Sequence, residues 1–106
     1  MNKKLAIKYF NLWSSKDLIG LESVIHKDCT LEDWTTNIDS KGEILLYNES
    51  FFKKNEIDLK INNLIESNNE VWCFLTISIN DKEIIDVIDI LTFYENQIIK
   101  IKAFKG

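Results

Sequence analysis

The sequence predicts an α+β fold, with three helices in the first half packed on one face of a curved, mostly antiparallel sheet. Two observations carry this. Apolar residues recur at helical spacing in the first half and at strict alternation from Ile57 onward. The alternating runs are separated by Asn68-Asn69, Asn80-Asp81 and Glu95-Asn96, where hairpin turns are expected. With 106 residues, 45% of them apolar and 28% charged, the chain reads as one folded domain spanning residues 1–106.

Each element has its own signature. Leu5, Ala6, Tyr9, Phe10, Leu12 and Trp13 form an apolar stripe with lysines opposite, predicting a helix over 3–14. Ser15 or Asp17 is placed to cap a second, short helix from Leu18 to Ile25. Residues 29–34 alternate, with Cys29, Leu31 and Asp33 on one face of a short strand. A polar loop from Thr35 to Lys41 precedes a third helix over 43–54, carrying Ile44, Leu45, Tyr47, Phe51 and Phe52. Four strands come next. Their inner faces are Ile57, Leu59, Ile61 and Ile65; Val71, Cys73, Leu75, Ile77 and Ile79; Ile85, Val87, Leu91 and Phe93; and Ile99, Ile101 and Ala103.

Composition excludes several kinds of chemistry. All 13 basic residues are lysines, and the net charge is −4. Without arginine there is no bidentate clamp for phosphate or guanine, and with an acidic balance no nucleic-acid partner is expected. The large shares of isoleucine (17), lysine (13) and asparagine (11) also point to an A/T-rich coding sequence. The single histidine, His26, excludes multi-histidine metal sites and is expected at the surface beside Lys27 and Asp28. Cys29 and Cys73 form no paired motif and no signal segment precedes them, so reduced thiols in a cytoplasmic protein are expected. No apolar run approaches the roughly 20 residues of a membrane helix.

Polar residues on apolar faces carry the functional information. Asp89 shares a strand face with Ile85, Val87, Leu91 and Phe93, and Asp33 shares one with Cys29 and Leu31. If both faces line one chamber, two carboxylates meet in apolar surroundings, where such groups acquire raised pKa values. Tyr9, on the buried stripe of the first helix, brings a hydroxyl that needs a partner. The alternatives are a loop cap at Asp33, a bulge turning Asp89 outward, and an ordinary core aromatic at Tyr9.

The order of these residues resembles the delta-5-3-ketosteroid isomerases, within the SnoaL-like and nuclear-transport-factor-2-like (NTF2-like) superfamily. The resemblance lies in Lys8-Tyr9-Phe10, Lys16-Asp17-Leu18-Ile19-Gly20, Asp28-Cys29-Thr30-Leu31-Glu32-Asp33 and Gly42. It continues in Val87-Ile88-Asp89 and Lys100-Ile101-Lys102-Ala103-Phe104. It implies a cone-shaped fold on a mixed, mostly antiparallel sheet. It also implies proton transfer α to a carbonyl without cofactor or metal, of isomerase or polyketide-cyclase type. Asp33 matches the base, and Tyr9 and Asp89 match the donors to the enolate oxygen. A small apolar carbonyl compound is the implied ligand, in a pocket lined by Trp13, Leu31, Trp34, Cys73, Leu75, Ile77, Val87, Leu91, Ile101 and Ala103.

Departures from the isomerase pattern imply a pocket smaller or shaped differently from a steroid site. Trp34 stands where the isomerases have proline, and their supporting tyrosine falls near Ser50. The missing arginine and second histidine remove the epoxide-hydrolase and dehydratase variants of the fold. Trp72, Phe74, Ile88 and Ile90 alternate to the outer sheet face, a patch expected to join two copies as a homodimer. A binding or dimerisation module without turnover is the alternative function.

Overall fold

A computed structural model describes residues 2–106. Among them are three helices, α1 (Asn2–Ser14), α2 (Leu18–Val24) and α3 (Lys41–Lys54). The strands are β1 (Ile25–Glu32), β2 (Asn37–Ile38), β3 (Ile57–Ser67), β4 (Glu70–Ile79), β5 (Glu83–Tyr94) and β6 (Gln97–Lys105). They form one mixed sheet in the order β2-β1-β6-β5-β4-β3, in which β1 and β6 run parallel and every other pair is antiparallel. The fold is the α+β arrangement the sequence predicts. The parallel pair results from the chain path. After β2 the chain leaves one edge, crosses through α3, starts β3 at the opposite edge, and returns by hairpins until β6 meets β1.

Helix ends are set by local chemistry. Asp17 caps α2, its carboxylate accepting from the Gly20 amide at 2.9 Å. Ser40 caps α3 by accepting from the Glu43 amide at 3.2 Å. At the other end of α3, Lys16 Nζ donates to the carbonyls of Phe52 and Asn55, at 2.9 and 2.6 Å. A cation at a helix C-terminus satisfies open carbonyls and opposes the helix dipole. Two of the hairpins turn as their residues require. Asn80 and Asp81 have φ of 57° and 56°, and Glu95 and Asn96 have 52° and 62°, the left-handed pair of a tight hairpin.

The core lies between the helices and one face of the sheet. α1 packs on β3 and β4, and α3 packs against β1 and α2. Ala6, Tyr9 and Phe10 of α1, Val71, Cys73 and Leu75 of β4, and Val87, Leu91 and Phe93 of β5 are buried. Each large aliphatic among them contributes about 1.5–3 kcal/mol on leaving water.

Four expectations are corrected. β3 carries a bulge between Ile61 and Asn63, so Leu64 pairs with Cys73 and turns inward, whereas Ile65 faces out and is 49% exposed. A second irregularity opposite Thr92 and Phe93 leaves Ile98, not Ile99, on the buried face of β6. The loop after β1 holds the short strand β2, paired through Leu31 with Ile38. Finally, β1 starts at Ile25, four residues earlier than expected, which pulls His26 into the sheet. His26 is buried, at 5% exposure, under the edge of the Tyr94 ring 5.6 Å away. Its Nδ1 accepts from the Asp28 amide at 3.0 Å, and its Nε2 lies 3.7 Å from Glu95.

Candidate active site

A cavity of about 150 Å³ opens between α1, α3 and the concave face of the sheet. β1 supplies Leu31 to its wall, with Asp33 just beyond the strand end. β4 supplies Leu75, Ile77 and Ile79, β5 supplies Ile85, Val87 and Asp89, and β6 supplies Ile101 and Ala103. The helices add Tyr9, Phe10, Trp13, Tyr47, Asn48 and Phe51. Trp13 packs edge-on against Phe52 at 5.3 Å and tilted against Phe51 at 5.8 Å, and so holds one wall in place. Trp34, 47% exposed, stands at the mouth.

Asp33, Tyr9 and Asp89 therefore line the same space. Asp89 reaches it because strand alternation runs unbroken through β5 beside β4, where Val87 pairs with Leu75 and Asp89 with Cys73. No bulge intervenes there to turn the carboxyl outward. Burial pushes the Asp89 carboxyl up to about 7, and the negative charge of Asp33 adds to the rise. Tyr9 is 3% exposed, and burial, then the charge of Asp89, push its phenol well above its ordinary value.

Asp33 is held differently. Its Oδ1 accepts from the Thr35 amide at 2.7 Å, the Thr35 hydroxyl at 3.0 Å and the Thr36 amide at 2.8 Å. This is a loop cap of the kind aspartate makes at turns. It also fixes the carboxylate's orientation. Oδ2 is left with a long contact from the Tyr47 hydroxyl, at 3.4 Å. Burial raises the Tyr47 phenol, the neighbouring Thr35 side chain opposes this, and the charge of Asp33 adds to the rise.

Cys73 and Leu91, expected at the pocket wall, are completely buried in the core and do not reach the cavity. In the sheet Cys73 stands opposite Asp89 and Leu91 opposite Val71, and both side chains belong to the buried core. Burial pushes the Cys73 and Cys29 thiols up to about 12, so both remain protonated thiols. Both cysteines are free. No helix among the described residues is long and apolar enough to cross a membrane.

Seven cavity residues escape the sequence reading, the apolar Phe10, Phe51, Leu59, Ile79 and Ile85 and two polar ones. Tyr47 lies beside Asp33, and Asn48 is a buried amide on α3. The signal for Asn48 is present, since Ile44, Asn48 and Phe52 recur at four-residue steps on one helix face.

The sequence matches no family model and no curated protein. Solved structures do match, and they define the fold. A candidate ketosteroid isomerase from Kribbella flavida superposes with a TM-score of 0.89 at 14% identity, over 97% of this chain and 76% of that one. An NTF2-like protein of unknown function from Cytophaga hutchinsonii gives 0.87 at 9% identity, over 100% and 90%. A candidate polyketide cyclase from Sinorhizobium meliloti gives 0.87 at 14% identity, over 94% and 93%. The chain has the NTF2-like fold, on which isomerase-like, cyclase-like and functionally unassigned proteins are all built.

Proposed function

We propose that the cavity catalyses cofactor-free proton transfer α to a carbonyl on a small, largely apolar compound. The observation that carries this is the placement of Tyr9, Asp33 and Asp89 on one apolar cavity, with the Asp89 carboxyl raised partly by the charge of Asp33. The substrate carbonyl would accept from the Tyr9 hydroxyl and from protonated Asp89. Asp33 Oδ2 removes the α-proton, and the C–H electron pair moves into an enolate whose oxygen the two donors stabilise. Returning the proton to another carbon completes an isomerisation. Attack of the enolate carbon on a second carbonyl, whose oxygen then takes the proton from Asp33, completes a cyclisation. A volume of about 150 Å³ suits a ligand of roughly one ring.

The test is deuterium exchange α to the carbonyl in a panel of small cyclic enones. Asp33→Asn is expected to slow exchange by about 10²–10⁴-fold. Equal rates in the two proteins would remove Asp33 as the base. A second reading, binding without turnover, is favoured by one observation: the three hydrogen bonds on Asp33 Oδ1 give this residue a purely structural task as well.

The outer sheet face carries the partner proposal. Trp72 pairs across strands with Ile90, and Phe74 with Ile88, so the four side chains form one patch, and Phe104 extends it opposite Ile88. Trp72 is 40% and Phe104 47% exposed. A second copy of the chain would cover this face. Trp72→Asp is expected to halve the mass seen by light scattering, and an unchanged dimer, or a monomeric wild type, would reject the interface.

A further inference from the structure

Asn48 sits on α3 between Ile44 and Phe52, one turn to either side on the buried stripe. It is 4% exposed and lines the same cavity as Tyr9, Asp33 and Asp89. Its Nδ2 is closed to solvent and has no hydrogen-bond partner among the described residues. A buried amide donor without a partner is costly, and a leucine at this position would avoid the cost. Neither helix propensity nor packing accounts for an amide here. A hydrogen bond made only when the cavity is filled does account for it.

We propose that Asn48 is a specificity-determining residue whose side-chain amide binds a second, neutral oxygen of the ligand, a hydroxyl or a carbonyl. This rests on the proposed function only for the first oxygen, the carbonyl at Tyr9 and Asp89. The second oxygen is inferred from Asn48 itself. It is neutral because the cavity wall holds two carboxyl groups and no cationic side chain, so an anionic group would find repulsion and no counter-charge. A hydroxyl meets either end of an amide, and a carbonyl meets its donor. The ligand class is thus a one-ring compound, or one of similar size, bearing two oxygens on an otherwise apolar frame.

Phenol, catechol, resorcinol and hydroquinone are suitable probes, because they differ only in the presence and place of the second oxygen. Each would be titrated into wild type, Asn48→Leu and Asn48→Ala, with amide NMR shifts as the readout. In wild type one dihydroxybenzene is expected to bind about tenfold or more tightly than phenol, the margin of one well-made hydrogen bond. Both variants are expected to bind phenol but to lose that preference. Asn48→Ala guards against the leucine merely filling space. In the absence of ligand, Asn48→Leu is expected to melt about 5 °C higher, because an unpaired donor has gone. Equal binding of all four probes to wild type, no binding at all, or a preference that survives in both variants would overturn the proposal. A lower melting temperature for Asn48→Leu would overturn it too, by showing that the amide stabilises the empty fold. These readouts need no turnover. If Asp33→Asn leaves exchange unchanged while the preference still depends on Asn48, the proton-transfer reading fails and the binding role of Asn48 stands.

Discussion

Asp33 and Asp89 are the same chemical group held in opposite ways, one at the rim of the cavity and one within its wall. At the rim, the chain leaves β1 for a tight loop. There the Asp33 carboxylate meets two backbone amides and a hydroxyl, all on Oδ1, beside exposed Trp34 and Thr35. Inside, Asp89 stands in the middle of β5, flanked across the sheet by Cys73 and Ala103. Its strand face offers it apolar neighbours where the loop offers Asp33 donors. The rim thus supplies an oriented anion, and the wall supplies a carboxyl kept partly neutral, up at about 7. Two carboxylates with environments this different are equipped for opposite roles, one taking a proton and one donating a hydrogen bond.

The largest expected effects come from erasing that difference. Asp89 is a donor only while protonated, so exchange should fall as pH rises through about 7. Asp89→Asn retains a donor at every pH, and its exchange rate should lose this fall between pH 6 and 9. A wild-type profile without the fall, or one that persists unchanged in the variant, would break the assignment. The same residue makes a stability prediction. Its folded value near 7 lies above the 3.8 of an ordinary aspartate. The folded state therefore holds this proton where the unfolded chain has lost it. Stability falls as pH rises from about 4, and the full cost is present above about 7. Relieving it with Asp89→Asn should raise stability at pH 8 by roughly 2–4 kcal/mol and change little at pH 4. Urea denaturation at the two pH values measures this directly. A variant equally or less stable at pH 8 would mean that the carboxyl is well solvated.

What is legible in the sequence divides in the same way, between regular and irregular backbone. Alternation locates Asp89, because β4 and β5 pair without interruption from Glu70 opposite Thr92 to Ile79 opposite Glu83. Where a strand slips, alternation fails. The bulge at Asn62 exchanges Ile65 for Leu64, and the one at Ile99 puts Ile98 inside, because each extra residue inverts the parity of the strand beyond it. His26 reads as a surface residue because it follows the second predicted helix beside the charged Lys27 and Asp28. Its burial comes from distant residues, Tyr94 and Glu95, brought there by the parallel pairing of β1 with β6. Asn48 is hard to see because the aromatic residues around it dominate the pattern of α3. Cys73 and Leu91 carry the right parity for the cavity, but parity says nothing about which residues of that face the cavity reaches.

The smallest expected effect tests whether orientation at the rim matters apart from charge. Thr35→Val removes the hydroxyl contact at 3.0 Å, together with the Thr35 side chain's interaction with Tyr47, and leaves both backbone amides on Oδ1. Stability should drop by about 0.5–1.5 kcal/mol, the usual worth of one hydrogen bond. Exchange should slow by less than about tenfold, since Asp33 keeps its charge and two of its three anchors and loses only some of its alignment. The pH at which exchange falls should not move, because that midpoint belongs to Asp89 in the wall. A midpoint that shifts with Thr35→Val would show that rim and wall titrate as one coupled pair, and the division of roles between the two carboxylates would then have to be given up.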